Sequence, residues 1–102
     1  MSRYRYHLGS MAIADLLEIQ EFLMTHSTDA ADHVADSLEL VFEQIGKRPH
    51  AGIRRPDLTA RPFRFRRAFS YLVVYEPATV PVTVVRVLHA SRDVGRLLRE
   101  MR

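Results

Sequence analysis

Histidine, arginine and aspartate occur close together near the end of the chain, in the run RVLHASRD from Arg86 to Asp93. Histidine titrates near neutral pH, and arginine binds phosphate through a planar fork of donors. Metal-free cleavage of RNA needs these residue types, because it requires a proton donor or acceptor and cations around the scissile phosphate. The alternative is structural, since His89 ends an apolar run and Asp93 can begin a helix, whose positive end an aspartate stabilises.

Other catalytic chemistries and metal binding find little support in the residue pattern. The chain has no cysteine, which excludes a thiol nucleophile, a disulfide and Cys-ligated zinc. No serine lies in a strand-turn-helix elbow between glycines, and no pair of histidines has the spacing of a zinc motif. Asp29, His33 and Asp36 share one helix face, which we interpret as a solvated acidic face. We therefore predict neither a metal nor a cofactor.

Charge is divided unevenly along the chain of 102 residues. Residues 1–46 hold two basic and eight acidic residues, a balance of −6, whereas residues 47–102 hold thirteen basic and four acidic residues, a balance of +9. Lys47 is the only lysine among the fifteen basic residues, so the basic half is almost entirely arginine. This half is either a solvated face or a surface for an acidic partner or a nucleic acid.

The length is that of a single domain, residues 1–102, with one hydrophobic core. No apolar run approaches the roughly 20 residues that a membrane span needs. The N-terminus, MSRYRYHLGS, is basic but lacks the apolar core of a secretion signal. We therefore expect a cytoplasmic protein without membrane contact.

The first part of the chain predicts a short strand and a helix. Tyr4 to Leu8 alternates large and polar side chains, which is typical of a strand. A helix is expected from about Met11 to Met24, with Ser10 as its N-cap. Asp15 and Glu18 are expected to point outward from the apolar stripe of this helix.

A second helix has the clearest pattern in the sequence. Its apolar residues follow the i, i+3, i+4, i+7 spacing for four turns, and they are Ala31, Val34, Ala35, Leu38, Val41, Phe42 and Ile45. Ser27 or Thr28 is the expected N-cap, and Gly46 is the expected stop. Two amphipathic helices joined by about four residues form an antiparallel hairpin, whose apolar stripes need a cover.

Strands in the second half are expected to supply that cover. After the loop Lys47–Pro62, the segments FRFRR, FSYLVVYE and VTVVRVL are rich in aromatic and β-branched residues. Pro77 and Pro81 mark the turn between the last two. The chain then ends in a short helix over Arg92–Arg102, weakened in its middle by Gly95.

The predicted fold class is α+β, with a short N-terminal strand and an antiparallel two-helix hairpin packed on one face of a sheet. The sheet is expected to be antiparallel with three to four strands, and a short C-terminal helix follows. Its other face is expected to be open. Arg64 and Arg66 would lie on that open face, with Arg92 at its border.

Several segments together resemble the RelE/ParE superfamily of type II toxin–antitoxin toxins. They are AIADLLEIQEFL, RPHAG, RRAFSYLVVYE and VTVVRVLHASRDVGRLL, which extend from about Tyr4 to Leu98 with the long amphipathic helix in the family's order. Ala14-Asp15-Leu16 and the VLH..RD ending are the most specific. The resemblance implies the same α+β fold and a cognate antitoxin whose acidic or amphipathic C-terminal segment folds along the toxin. It also implies that operator DNA is contacted only indirectly, through the antitoxin.

The superfamily has two functional branches, which differ in their functional residues. RelE-like members cut mRNA on the ribosome, whereas ParE-like members poison DNA gyrase and have no known hydrolytic site. The RNase branch typically has basic residues on the second strand, an arginine on the third, an arginine after the last strand and often a tyrosine in the final helix. Arg64 and Arg66 match the first feature, and Arg92 matches the third. Leu72 and Leu98 stand where the other two are expected.

Leucine neither stabilises the charge of a phosphorane nor donates a proton, so the ParE-like branch is favoured. We predict a plasmid-stabilisation toxin that inhibits DNA gyrase, rather than a hydrolytic enzyme. One alternative is a metal-free mRNA endonuclease that uses Arg64, Arg66, His89 and Arg92. Another is a degenerate, non-toxic co-repressor that only binds the antitoxin. The residues expected to bind the target or the antitoxin are Arg64, Arg66, Arg67, Tyr71, Arg86, His89, Arg92 and Asp93.

Overall fold

The computed structural model describes residues 5–101, which form three helices and five strands. In chain order these are β1 Tyr6–Leu8, α1 Ser10–Met24, α2 Thr28–Lys47, β2 Ile53–Arg54, β3 Arg64–Ala68, β4 Tyr71–Glu76, β5 Val82–His89 and α3 Val94–Arg99. The α+β class and the order of the main elements agree with the prediction. Tyr4 and Arg102, which the sequence assigned to the first strand and the last helix, lie outside the described residues.

The sheet is mixed, with the strand order β1-β5-β4-β3-β2. β1 runs parallel to β5, with Tyr6 opposite Val82 and Leu8 opposite Val84, and the other neighbours are antiparallel. The predicted antiparallel sheet of three to four strands is therefore wrong in strand number and in the direction of β1. β2 has only two residues, which are too few to show a period, and it lies inside the predicted loop. The direction of β1 depends on how the helices return the chain to the sheet, which no local pattern encodes.

The two long helices begin with different N-caps. The N-cap of α1 is Gly9 rather than Ser10, because the Gly9 N–H bonds to the Val84 carbonyl, 2.9 Å away, and ends the pairing of β1. The predicted cap of α2 is confirmed, since the Ser27 hydroxyl accepts from the Ala30 N–H at 3.2 Å. Within residues 5–101, none of the helices combines the length and apolar character that crossing a bilayer requires.

The helical hairpin covers one sheet face and supplies the larger part of the core. Ala12 of α1 and Leu38, Phe42 and Ile45 of α2 are buried against the sheet. On that face they meet side chains of the last three strands, Ala68, Tyr71, Val73, Tyr75, Val82, Val84 and Val87. The predicted packing of the hairpin on one face of the sheet is therefore confirmed.

The other sheet face is covered as well, so the prediction of an open face is wrong. Phe65, Val74 and Leu88 form a second buried cluster with Val94 and Leu98 of α3. Other members, partly or fully buried, are Leu58, Phe63, Leu72, Val85, Leu97 and Met101. The phenylalanines of FRFRR face α3 because this short helix and the loop around Leu58 provide enough apolar surface to cover them.

Candidate functional site

The register of β3 separates the arginines of FRFRR onto two faces of the sheet. Arg66 lies opposite Val73, and Arg67 lies opposite Leu72. Because Val73 faces the helical hairpin and Leu72 packs in the cluster under α3, Arg66 projects on the hairpin side and Arg67 on the α3 side. Arg64 shares the side of Arg66, since the two are separated by one residue. The expectation that Arg64 and Arg66 lie on the face opposite the hairpin is therefore wrong.

Arg64 and Arg66 lie near the C-terminal end of α2. The Arg64 Nη1 donates to the Gly52 carbonyl at 2.8 Å, which ties β3 to the loop before β2. Arg66 borders a cavity of about 290 Å³ together with Lys47 and Arg48. We call Lys47, Arg48 and Arg66 the α2-end cluster.

A groove lined by four arginines runs along the α3 side of the sheet. Arg55, Arg67, Arg92 and Arg99 border a cavity of about 420 Å³, and we call this the arginine groove. Leu72 also lines it. Its four cations outnumber its two carboxylates, Asp57 and Asp93, so the groove suits an anionic ligand.

Both carboxylates of the arginine groove already have partners. Arg55 holds Asp57 through two hydrogen bonds of 2.9 and 2.8 Å, and these hold the pKa of the Asp57 carboxyl below its usual range. The Asp93 carboxylate accepts from the Arg96 N–H at 3.2 Å and caps α3, as the structural alternative predicted. Neither Arg92 nor Arg99 forms an ion pair with any residue between 5 and 101. These two guanidinium groups are therefore available to an anion.

His89 lies on the hairpin side of the sheet, away from the arginine groove. It borders a cavity of about 240 Å³ with Tyr71, Phe22 and Arg92, and its ring meets the Tyr71 ring edge-on at 5.3 Å. The His89 Nδ1 accepts from the backbone N–H of Ser91 at 3.1 Å. The proton of the neutral imidazole is thus on Nε2. Arg92 borders both cavities, whereas the sheet separates His89 from Arg67.

Arg86 and Asp15 form a buried ion pair that joins β5 to α1. Two hydrogen bonds of 2.8 and 2.9 Å link the guanidinium to the carboxylate, and the Val87 N–H donates to the same carboxylate at 2.9 Å. Asp15 and Arg86 are 7% and 8% exposed. The bond to Asp15 raises the pKa of Arg86, which stays charged. The expectation that Asp15 points outward is wrong, and Arg86, expected to contact a partner, has little surface to offer one.

Sequence reasoning missed this pair because its members lie 71 residues apart. Two features of the sequence indicated a buried charge, but neither identified its partner. Asp15 stands at the edge of the apolar stripe of α1, and Arg86 interrupts the apolar run of β5. A buried charge in such a run requires a partner of opposite sign.

Leu72 and Leu98, which stand where an RNase would carry an arginine and a tyrosine, are packed in the cluster under α3. Leu98 is 1% exposed, and Leu72 is partly buried on the wall of the arginine groove. Within residues 5–101, no three histidine, aspartate or glutamate side chains are grouped so that they could hold a metal ion. The residues that line the arginine groove suit an anion, and they include neither a histidine nor a tyrosine.

The chain matches the family model of the ParE toxin of type II toxin-antitoxin system, parDE, over residues 6–94. The match begins at the first residue of β1 and ends at the first residue of α3, so it contains both long helices and the whole sheet. Among curated proteins, none matches the chain.

Proposed function

The chain belongs to the ParE toxins of type II toxin–antitoxin systems, and we propose that it inhibits DNA gyrase and is neutralised by a cognate antitoxin. The observation that carries the choice of gyrase is the composition of the arginine groove. Its cations, Arg67 and Arg92 among them, share the groove with Leu72 and with no histidine or tyrosine. Such a groove suits binding to an anion better than cleavage of one.

The alternative of mRNA cleavage loses support from the same geometry. His89 borders a cavity that Arg92 also lines, but Arg64 and Arg66, the other cations of that alternative, do not line it. Arg64 is bonded to the Gly52 carbonyl on the hairpin side. Loss of one charge-stabilising group commonly costs about 10²–10³ in rate, and here the proton donor is displaced as well.

Two assays run side by side test the choice of target. Purified toxin is added to gyrase with relaxed plasmid, and separately to ribosomes translating a defined mRNA. We expect negative supercoiling to be inhibited while the mRNA stays intact. Cuts at codon boundaries with unchanged supercoiling would contradict the proposal, and no effect in either assay would favour a non-toxic co-repressor.

The antitoxin has a candidate docking surface along the helical hairpin. A groove of about 330 Å³ lies between α1 and α2 and is lined mainly by apolar side chains, among them Leu16, Ile19, Leu23, Val34 and Phe42. The α2-end cluster lies further along the same helix. An amphipathic, acidic segment that orders on binding can place its apolar side in this groove and its carboxylates on the cluster.

Reversing the charge of Arg66 is expected to weaken antitoxin binding. We expect Arg66→Glu to raise the dissociation constant about tenfold at low salt, because it places a like charge against an acidic segment. The effect should shrink between about 50 and about 500 mM salt, since screening weakens exposed charge pairs. Titration calorimetry with the cognate antitoxin measures both.

The matched control for Arg66→Glu is Arg96→Glu, which makes the same charge change on the exposed side of α3. Arg66 is the cleaner position to test than Arg64, whose reversal would also break the bond to the Gly52 carbonyl. Equal losses in both variants would show that only net charge matters. Unchanged affinity in Arg66→Glu would remove the α2-end cluster from the interface.

Three further features follow from the proposed function and stay predictions. They are a cytoplasmic location, where gyrase acts, a role in plasmid stabilisation, and contact with operator DNA through the antitoxin. The last two depend on an antitoxin gene, so a short open reading frame just upstream of the toxin gene is the expected genetic context.

A further inference from the structure

The turn between β3 and β4 holds an aromatic side chain in solvent on an unfavourable backbone conformation. Phe69 is 59% exposed and has a φ of 53°. It is the one non-glycine residue within 5–101 with positive φ. Side chains with a Cβ rarely adopt this region, because the Cβ approaches the following carbonyl oxygen. Burial does not offset the strain, since most of the ring is in water, and strain of this kind is frequent at functional positions.

Phe69 lies at the end of the sheet where the arginine groove opens. The Arg67 Nε donates to the Phe69 carbonyl at 2.8 Å, so the two residues are held side by side. The Ser70 carbonyl accepts from the Ala90 N–H at 2.7 Å, which ties the turn to the segment carrying Arg92. Arg67, Ala90 and Arg92 all line the arginine groove. The turn that carries the exposed Phe69 ring is thus tied to Arg67 and to the segment that carries Arg92.

The arginine groove continues into a second cavity, which extends the row of cations. This cavity of about 400 Å³ shares Asp57, Leu58 and Arg99 with the groove and adds Arg61. A row of arginines along connected cavities matches a polymer with one negative charge per unit better than it matches a single acidic group. The exposed ring at one end of the row adds a flat surface on which a nucleobase can stack.

We propose that Phe69, Arg67 and Arg92 bind single-stranded DNA. The Phe69 ring stacks on an unpaired base, and the two guanidinium groups contact the phosphates on either side of it. The choice of DNA over RNA rests on the proposed function, because gyrase opens DNA strands during its reaction. The two-residue turn between the paired Ala68 and Tyr71 itself favours a positive φ at Phe69, so the choice of occupant rests on the exposed ring. A base can stack on this ring, whereas an acidic protein segment offers no base.

Binding of a labelled oligothymidine of about twelve nucleotides, followed by fluorescence anisotropy, tests this inference on the full chain. Phe69→Asn is the main variant, because asparagine tolerates the left-handed conformation. We expect it to weaken binding about tenfold while the melting temperature stays the same or rises. This combination of results separates a lost contact from a damaged fold.

Charge-matched variants test the arginines. We expect Arg92→Gln to weaken binding and to reduce the slope of log affinity against log salt by about 0.7, the value for one phosphate contact on a single strand. Arg54→Gln removes the same charge from the exposed edge strand β2 and should have a much smaller effect. Equal losses in both would indicate non-specific attraction and overturn the inference.

Three further outcomes would also overturn the inference. One is unchanged affinity in Phe69→Asn, another is competition by polyglutamate as effective as by the oligonucleotide, and the third is tighter binding of RNA of equivalent sequence. Because the assay contains no gyrase, its failure leaves gyrase inhibition standing. Conversely, oligonucleotide binding that depends on Phe69, with no inhibition of gyrase, would contradict the proposed function but support this binding site.

Discussion

Replacement of Asp15 by alanine is expected to lower the free energy of unfolding by about 3–5 kcal/mol. The variant leaves the Arg86 guanidinium buried without its counter-charge and removes the acceptor of the Val87 N–H. Both groups then lose hydrogen bonds that water replaces poorly, because Arg86 is only 8% exposed. For a domain of this size the melting temperature should fall by roughly 15–30 °C. Urea unfolding followed by circular dichroism measures the change.

Glu21→Ala is the matched control, since it removes an exposed carboxylate of the same helix that does not line the cavity beside Asp15. It should change the free energy of unfolding by less than about 0.5 kcal/mol. Asp15→Asn should fall between the two, because the amide keeps one acceptor but not the charge. If Asp15→Ala were no less stable than Glu21→Ala, the ion pair would not hold α1 on β5. The Ala14-Asp15-Leu16 motif that resembles the toxin family thus has a structural explanation.

Replacement of Tyr75 by phenylalanine is expected to cost about 2–3 kcal/mol. The Tyr75 hydroxyl donates to the Pro49 carbonyl at 2.7 Å and accepts from the Gly52 N–H at 2.8 Å. It therefore anchors the RPHAG segment on the sheet. A Cβ on Gly52 would lie 2.7 Å from the same hydroxyl, so the segment approaches too closely for any larger residue. Chemical denaturation of both proteins measures the difference.

The stability difference between wild type and Tyr75→Phe should depend on pH. Burial raises the pKa of Tyr75 above its ordinary value near 10, so the folded state favours the neutral phenol. The contribution is complete below about pH 10 and is lost as the pH rises further, because the unfolded chain ionises first. The two stabilities should therefore approach each other above about pH 10. A constant difference across this range would contradict the account.

Tyr71→Phe serves as the control for Tyr75→Phe. Tyr71 is also buried, at 7% exposure, but its hydroxyl makes no hydrogen bond with a residue between 5 and 101. Its loss should change stability by less than half as much as the loss of the Tyr75 hydroxyl. Similar costs would mean that the anchoring of the RPHAG segment is not what Tyr75 contributes.

Local patterns predicted the elements that local contacts build. The apolar stripe of α2 and its Ser27 cap are encoded within one helix, and the Asp93 cap lies three residues from Arg96, whose N–H donates to it. The parallel direction of β1 and the cover over the second sheet face depend on elements far apart in the chain. The Asp15–Arg86 pair depends on the same long-range packing, which periodicity does not record.

The sequence predicted the residue types of the candidate site but not how these residues are arranged in space. Alternation in FRFRR correctly put Phe63 and Phe65 on one side and Arg64 and Arg66 on the other. The prediction of which side of β3 faces the helical hairpin was wrong, because side chains alternate along a strand in the same way whichever face of the sheet the helices cover. Once Phe65 packs under α3, Arg67 rather than Arg64 or Arg66 accompanies Arg92. Arg64 and Arg66 instead project on the hairpin side.

The central claim is that this toxin acts on gyrase without chemistry of its own, and trapping of cleaved gyrase–DNA complexes tests it most directly. Supercoiled plasmid is incubated with gyrase and toxin, the protein is denatured, and linear DNA bound covalently to gyrase is quantified. The account predicts that linear DNA accumulates with the toxin and does not when the cognate antitoxin is bound. Plasmid that stays unbroken, together with toxin-dependent cuts in ribosome-bound mRNA, would contradict it.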